Sequence, residues 1–311
     1  MALTALSGDE QCVIFEKLCN VLDPGVAVAF SSTNSELWTL TPALRQQLKA
    51  DHKVAAALCL KLRMRSCKEL REAKSIRWLR SCTKLRAAQA KEITAADLGL
   101  LGTLGSVLPA LEFLALSEPA AGPDGVQQLA VGLGAGALPA LTDVGILDMH
   151  VGDAGASALA AALGQGALPR LKSLELANTS IGDAGLVALA PALRRLPALE
   201  ELYVDDNPFG DDGVAALVAP PPPTGAPPPP TGGLKKLKTL DLSDTQVTDA
   251  GCATLAAALK SGALPALEFL LLFYIPASDA AKAAVYEARA NLKDGRGTHH
   301  FSEVEESEEE D

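Results

Sequence analysis

Along most of the chain the apolar residues alternate between two patterns. Short stretches such as Leu174–Leu176 and Leu240–Leu242 are apolar at every second position, which predicts strands with one buried face. Downstream, leucines recur four and eight positions past a glycine: Leu129 and Leu133, Leu159 and Leu163, Leu189 and Leu193, Leu255 and Leu259. That spacing falls on one face of a helix. Between strand and helix stand four similar stretches, Gly152 to Gly155, Gly182 to Gly185, Gly210 to Gly213 and Thr248 to Gly251, which read as turns.

The strand–helix pair is repeated. Copies start at Leu108, Leu138, Leu168, Leu196, Leu234 and Leu264, at intervals of 30, 30, 28, 38 and 30 residues. Units that cannot bury their apolar faces alone must stack on one another. The chain therefore predicts a curved α/β solenoid over 108–295, with parallel strands on the concave face and helices on the convex face. The long interval holds the proline-rich stretch 220–233. Because the pattern resumes in phase at Leu234, this stretch is predicted to be a loop, either a bare polyproline II insertion or a ligand for profilin, SH3 or WW domains. It replaces the second helical leucine of the fourth unit with Pro221, so that unit is expected to be the weak joint.

The string from Leu199 to Gly213 resembles the ribonuclease-inhibitor type of leucine-rich repeat, and the resemblance runs from about Leu108 to Leu292. It implies the same solenoid. At the position where that family places Asn or Cys, the chain has Asn207 once, and Thr179, Thr245, Met149, Pro119 and Ile275 elsewhere. Backbone groups at those turns need other partners, which predicts looser outer units.

Residues 1–52 follow a different pattern. Val13, Phe15, Leu18, Val21 and Leu22 lie at helical spacing, Asp23–Pro24–Gly25 breaks the run, and a second apolar run ends at Trp38. A small helical domain is expected. Leu6 with Asp9 and Glu10, the Asp23–Pro24 turn, Phe30–Ser31, and Trp38 fourteen residues past Pro24 resemble an F-box, although Ser7 stands where that family has proline. The resemblance implies that Leu6, Leu18, Leu22 and Pro24 bind an adaptor. With repeats following, it implies a substrate receptor of a cullin-RING ubiquitin ligase. In the intervening 53–107, Leu58, Leu60, Leu62 and Met64 alternate as in a strand, and the string at Arg65 recurs at Arg80. Two degenerate, basic repeat units or a cap are expected there.

Charge adds a surface to this scaffold. The net charge is −11, but it is unevenly divided: 53–91 carries twelve Lys/Arg against Glu69 and Glu72, and 93–311 carries twelve against 29 Asp/Glu. In the six units the strand positions facing the concave side are Glu118, Asp143, Asp148, Glu175, Glu201, Tyr203, Asp205, Asp206, Asp241 and Asp244 among others, with no Lys or Arg. An acidic concave face predicts a protein partner with a basic segment. The last unit places Phe269, Leu271, Phe273 and Tyr274 there instead, an apolar end that is either covered by the C-terminal segment or a contact patch. Residues 303–311 hold seven acids in nine and predict a disordered acidic tail over 296–311, free to fold back on the basic segment.

Little else carries chemistry. No nucleophile, phosphate-loop or dinucleotide motif occurs, and the six cysteines and four histidines have no zinc spacing, so neither catalysis nor a metal or cofactor is expected. Nucleic-acid binding through 53–91 would meet repulsion from the acidic remainder and finds only Trp78 for stacking. With no basic-apolar leader and no membrane-length apolar run, a cytoplasmic or nuclear protein is expected. The expected function is protein recognition as a ligase receptor. Two alternatives are a scaffold without a ligase role and a Ran-type GTPase-activating regulator, which a solenoid with an acidic tail also resembles. Against the latter, Arg170, Arg194 and Arg195 do not follow the strand ends.

Overall fold

The computed structural model describes residues 7–33, 35–79, 92–218 and 234–294. Leu6, the recurrence at Arg80, the proline-rich stretch 220–233 and the tail 296–311 lie outside them.

Four helices open the chain: α1 (Gly8–Leu18), α2 (Gly25–Ser32), α3 (Ser35–Leu40) and α4 (Pro42–Lys61). Ser7 starts α1 with a capping box, its Oγ accepting from Glu10 N at 3.3 Å and its own N donating to the Glu10 carboxylate at 2.9 Å. The residue that departs from the F-box pattern is thus the helix cap. Phe15, Ala27 and Leu48 form a small core for this head, flanked by Leu18, Cys19, Val21, Phe30 and Leu44.

The strand expected from Leu58, Leu60, Leu62 and Met64 does not form. Helix α4 runs through Lys61, burying Leu58 and Cys59 and leaving Leu60 73% exposed. Ala55, Leu58, Cys59 and Leu62 also satisfy helical spacing, and the helix already established upstream decides between the two periods. A left-handed Arg63 (φ 58°) ends α4, with Met64 N donating to Cys59 O at 2.9 Å. This is the six-to-one bond of a Schellman cap.

After α5 (Cys67–Glu72) comes β1 (Ser75–Leu79), among the described residues the first of seven parallel strands paired in chain order. The others are β2 (Phe113–Ser117), β3 (Asp143–Ile146), β4 (Ser173–Glu175), β5 (Glu201–Tyr203), β6 (Thr239–Asp241) and β7 (Phe269–Leu271). Each is followed by a helix: α6 (Ala95–Thr103), α7 (Gly122–Gly134), α8 (Gly152–Gly164), α9 (Asp183–Leu193), α10 (Asp211–Leu217), α11 (Asp249–Lys260) and α12 (Asp279–Glu287). Among the described residues 53–107 therefore hold one strand, not two. Strand leucines such as Leu174, Leu202 and Leu240 meet the helix leucines in a single core that extends from Leu22, Leu58 and Cys59 to Val285.

The glycine-flanked stretches are not loops. Helices α8 to α11 begin within them, and the reason is a ladder of carboxylates. Asp153 Oδ1 accepts from Gly182 N and Gly185 N of the next unit at 2.8 and 2.9 Å. Asp183 Oδ1 accepts from Gly210 N and Gly213 N, both at 2.8 Å. Asp211 takes Thr248 N at 2.8 Å and Asp249 takes Ser278 N at 2.6 Å. Each carboxylate thus satisfies amides that the start of the next helix leaves unpaired. A Cβ on Gly185, Gly213 or Gly251 would lie 2.6, 3.0 or 2.3 Å from the incoming oxygen, so glycine is required for the carboxylate to reach.

The second ladder is uneven. Asn207 is buried; its Oδ1 accepts from Thr179 N, Thr179 Oγ1 and Ile181 N, and its Nδ2 donates to Leu176 O at 2.7 Å. Thr179 and Thr245 turn their hydroxyls back to Leu176 O and Leu242 O at 2.8 and 2.7 Å. Thr245 therefore serves its own turn, whereas Asn207 bridges two units and shares the Thr179 hydroxyl proton with Leu176 O.

Candidate functional site

The strand register orders the concave face into rows. Asp143, Ser173, Glu201, Thr239 and Phe269 form one row, and Gly145, Glu175, Tyr203, Asp241 and Leu271 the next. Beyond the strand ends lie Asp205, which accepts from Asn178 N through its carbonyl at 3.1 Å, and then Asp148, Asn178, Asp206, Asp244 and Tyr274. These last five share a left-handed backbone, with φ of 49°, 51°, 50°, 53° and 53°.

The structure gives the predicted acids different surroundings. Glu118 is 1% exposed, and its carboxylate accepts from Ile93 N and Ala120 N. It holds the first turn together and is not part of an open acidic surface, contrary to the expectation. Asp143 accepts from Thr142 Oγ1 at 2.5 Å, Asp148 from Asn178 Nδ2 at 3.0 Å, and Asp241 from Ser243 N at 2.9 Å. Asp206 and Asp244 are exposed, and Glu201 is half-buried.

Glu175 and Asp205 stand at the centre. Burial first, and then the carboxylates of Asp205, Asp148 and Asp241, push Glu175 up to about 8. Burial and Asp241 push Asp205 up to about 7. Burial and the neighbouring carboxylates also raise the Tyr203 phenol. Among the described residues Oε2 of Glu175 and Oγ of Ser173, two positions apart on β4, are shut off from solvent without a hydrogen-bond partner. Crowded carboxylates in a low-dielectric setting retain protons near neutral pH, and an approaching cation favours their ionised forms.

One feature at the start of this face was not read from the sequence. The face begins one strand earlier, at β1, where exposed Arg77 stacks over the Phe113 ring at 4.5 Å and supplies a cation. Its signal was the apolar Ile76 between polar neighbours. At the other end the C-terminal segment covers the sheet edge: Lys293 bridges β7 and places its ammonium 5.1 Å from the Phe269 ring. Phe273 remains half-buried, and Tyr274 is 83% exposed.

The head residues assigned to an adaptor are largely internal. Leu22 is 3% exposed in the solenoid core, Leu18 packs against the head core, and Pro24 caps α2. Their apolar spacing reflects packing. Among the described residues the large apolar side chains that the head exposes are Val13, Val26, Val28, Trp38 and Leu40, with Val54 and Leu60 on α4. Of the arginines noted as not following the strand ends, Arg194 donates to Ala216 O and Leu217 O, capping the end of α10.

Residues 168–190, 196–218 and 233–256 match the leucine-rich repeat model. No curated protein matches the chain. Among solved structures, the internalin-like protein lmo2027 of Listeria monocytogenes is similar at 15% identity and a TM-score of 0.40, over 70% of this chain and 52% of that one. The chain thus spans about half the length of that protein. It carries leucine-rich repeats and folds as their α/β solenoid, the architecture of a protein-recognition module.

Proposed function

We propose that the concave face binds a protein partner, with a basic segment of that partner lying across β4 to β6. The observation that carries this reading is the Glu175 carboxylate, which has a buried oxygen without a donor and three further carboxylates around it. A lysine or arginine side chain would supply both the charge and the donor. Tyr203 provides a flat wall beside it, and Phe273 and Tyr274 offer an apolar seat at one end. The seat lies two strands from Tyr203, or about 10 Å at ~4.8 Å per strand. The fitting segment is therefore a cation followed at short range by an apolar residue. The proposal is recognition without catalysis or cofactor, in the cytoplasm or nucleus.

The test compares the wild type with a variant carrying Glu175→Gln, Asp205→Asn, Asp206→Asn and Asp244→Asn in affinity purification. Proteins retained by the wild type and lost from the variant are expected to carry such a segment and to elute as salt rises. Equal retention by the two would move the site off the acidic rows.

A second reading adds a cullin-RING adaptor docked on the head. The exposed Val13, Val26 and Val28 favour it, since apolar side chains left open on a small helical unit are candidates for contact with a partner. Val26→Asp and Val28→Asp are expected to abolish adaptor co-purification. Adaptor recovery unchanged in both would remove the ligase role and leave the scaffold.

A further inference from the structure

We infer that Cys59 and Cys67 form an oxidisable dithiol that fastens α5 to the end of α4, where the helical head joins the solenoid. Their Sγ atoms lie 3.6 Å apart, with Cys59 the donor. A disulfide is about 2.0 Å long, so the sulfurs need to close by only roughly 1.6 Å.

Hydrogen bonds on both sides hold this approach. Leu62 N donates to Leu58 O and Met64 N to Cys59 O, each at 2.9 Å, around the left-handed Arg63. On the Cys67 side, Ser66 Oγ accepts from Glu69 N at 3.2 Å, and the Glu69 carboxylate accepts from Arg65 N at 2.6 Å. The intervening segment is thus folded on itself in a way that brings the two sulfurs together.

The two cysteines are unequal. Cys59 is 2% exposed and belongs to the continuous core, whereas Cys67 is half-buried at its edge. Burial, and then the hydrogen bond to Cys67, push the Cys59 thiol up to about 12. Cys67 is therefore the sulfur an oxidant meets first, and Cys59 the one that resolves. With glutathione disulfide as oxidant, the Cys67 thiolate attacks one sulfur, the glutathione S–S bond breaks, and one glutathione thiolate leaves. Cys59 then gives its proton to solvent and attacks Cys67 Sγ, expelling the second glutathione thiolate. Two protein thiols are oxidised and one glutathione disulfide is reduced to two glutathiones. The new bond closes a short loop between the last head helix and the residues leading into β1, which restricts separation of these elements in the unfolded chain.

The test incubates the full chain with glutathione disulfide, alkylates the remaining thiols, and measures tryptic peptides by mass spectrometry without reduction. The expected product is Val54–Lys61 joined to Ser66–Lys68 with the loss of two hydrogens in most molecules, together with a melting temperature above that of the reduced chain. Cys67→Ser, checked by circular dichroism, is expected to lose both the linkage and the difference in melting temperature. Should that variant fail to fold, the wild-type peptide map decides alone. Glutathione retained on Cys67 with Cys59 alkylated, Cys67 joined to another cysteine, or both alkylated would overturn the inference.

Discussion

Tyr274 occupies a backbone position that the four preceding units give to Asp148, Asn178, Asp206 and Asp244. Asp and Asn tolerate left-handed φ, and an aromatic side chain does so at a cost. The acidic residues of the concave face therefore divide. Asp148, Asp206 and Asp244 fit a backbone requirement as well as carrying charge, whereas nothing in the backbone demands a carboxylate at Glu175 or Asp205. The acidic rows were legible in the sequence because strand alternation is simple. The division was not, because φ at a turn leaves no mark on the pattern. Tyr274→Asn is expected to raise unfolding free energy by about 0.5–1 kcal/mol in urea titrations, relieving the strained φ, while weakening retention of the partner. Glu175 gives a second expectation. Its folded-state value of about 8 lies above the ordinary 4.5, so the folded chain holds this proton more tightly than the unfolded one. The resulting stability is complete below pH 4.5 and is lost as pH rises through about 8. Glu175→Gln is therefore expected to flatten the fall in melting temperature between pH 5 and pH 8.5, by a few °C on the order expected for this size. Parallel curves for the two proteins would show that the carboxylate is freely solvated.

The strand and helix of each unit followed from periodicity, and the buried helix leucines stand where their spacing put them. What periodicity could not reveal was the work of the aspartates, because their partners are 27 to 37 residues away in the next unit. Glycine-flanked aspartates look like turn chemistry. Here they are helix starts, and the glycine makes room for a carboxylate from the unit before. This reverses a common expectation. Gly→Ala inside a helix usually stabilises by up to ~1 kcal/mol, but Gly251→Ala would put a methyl 2.3 Å from Asp211 Oδ1. It is expected to destabilise by roughly 1–3 kcal/mol, measured by thermal or urea unfolding, and a gain in stability would contradict the ladder. Asp183→Ala, which removes the acceptor for Gly210 N and Gly213 N, is expected to cost about 2–3 kcal/mol. At the end of α10 Leu217 and Val218 are buried and Arg194 donates to the last carbonyls, while Pro221, the position on which the expected weak joint rests, lies outside the described residues.

At the scale of the whole molecule the head, besides its own small core, joins the continuous core of the repeats through Leu22, Ala55, Leu58 and Cys59. The sequence separated them because Leu58 to Met64 fitted two periods, and only the length of α4 shows that the last head helix packs on the first repeat. The concave face that this stack presents carries Arg77 at one end, crowded carboxylates at its centre and aromatic groups at the other. Its polarity is a property of the assembled units that no single repeat displays. The acidic tail, with seven acids in nine residues, is the rival attractor for any cation. The two can be separated, since neutralising the face leaves the tail intact. The most direct measurement is calorimetric titration of an octa-arginine peptide into the full chain at pH 7.5, in two buffers of different ionisation enthalpy. The comparison protein carries Glu175→Gln, Asp205→Asn, Asp206→Asn and Asp244→Asn, of which the last two put asparagine at left-handed positions that it tolerates. The wild type is expected to bind with proton release, as raised carboxyls ionise against the guanidinium groups, and the variant to lose at least about tenfold in affinity, or ~1.4 kcal/mol, along with the proton release. Equal affinity in both proteins, with no protons released by either, would place cation binding on the tail and contradict the concave face as the recognition site.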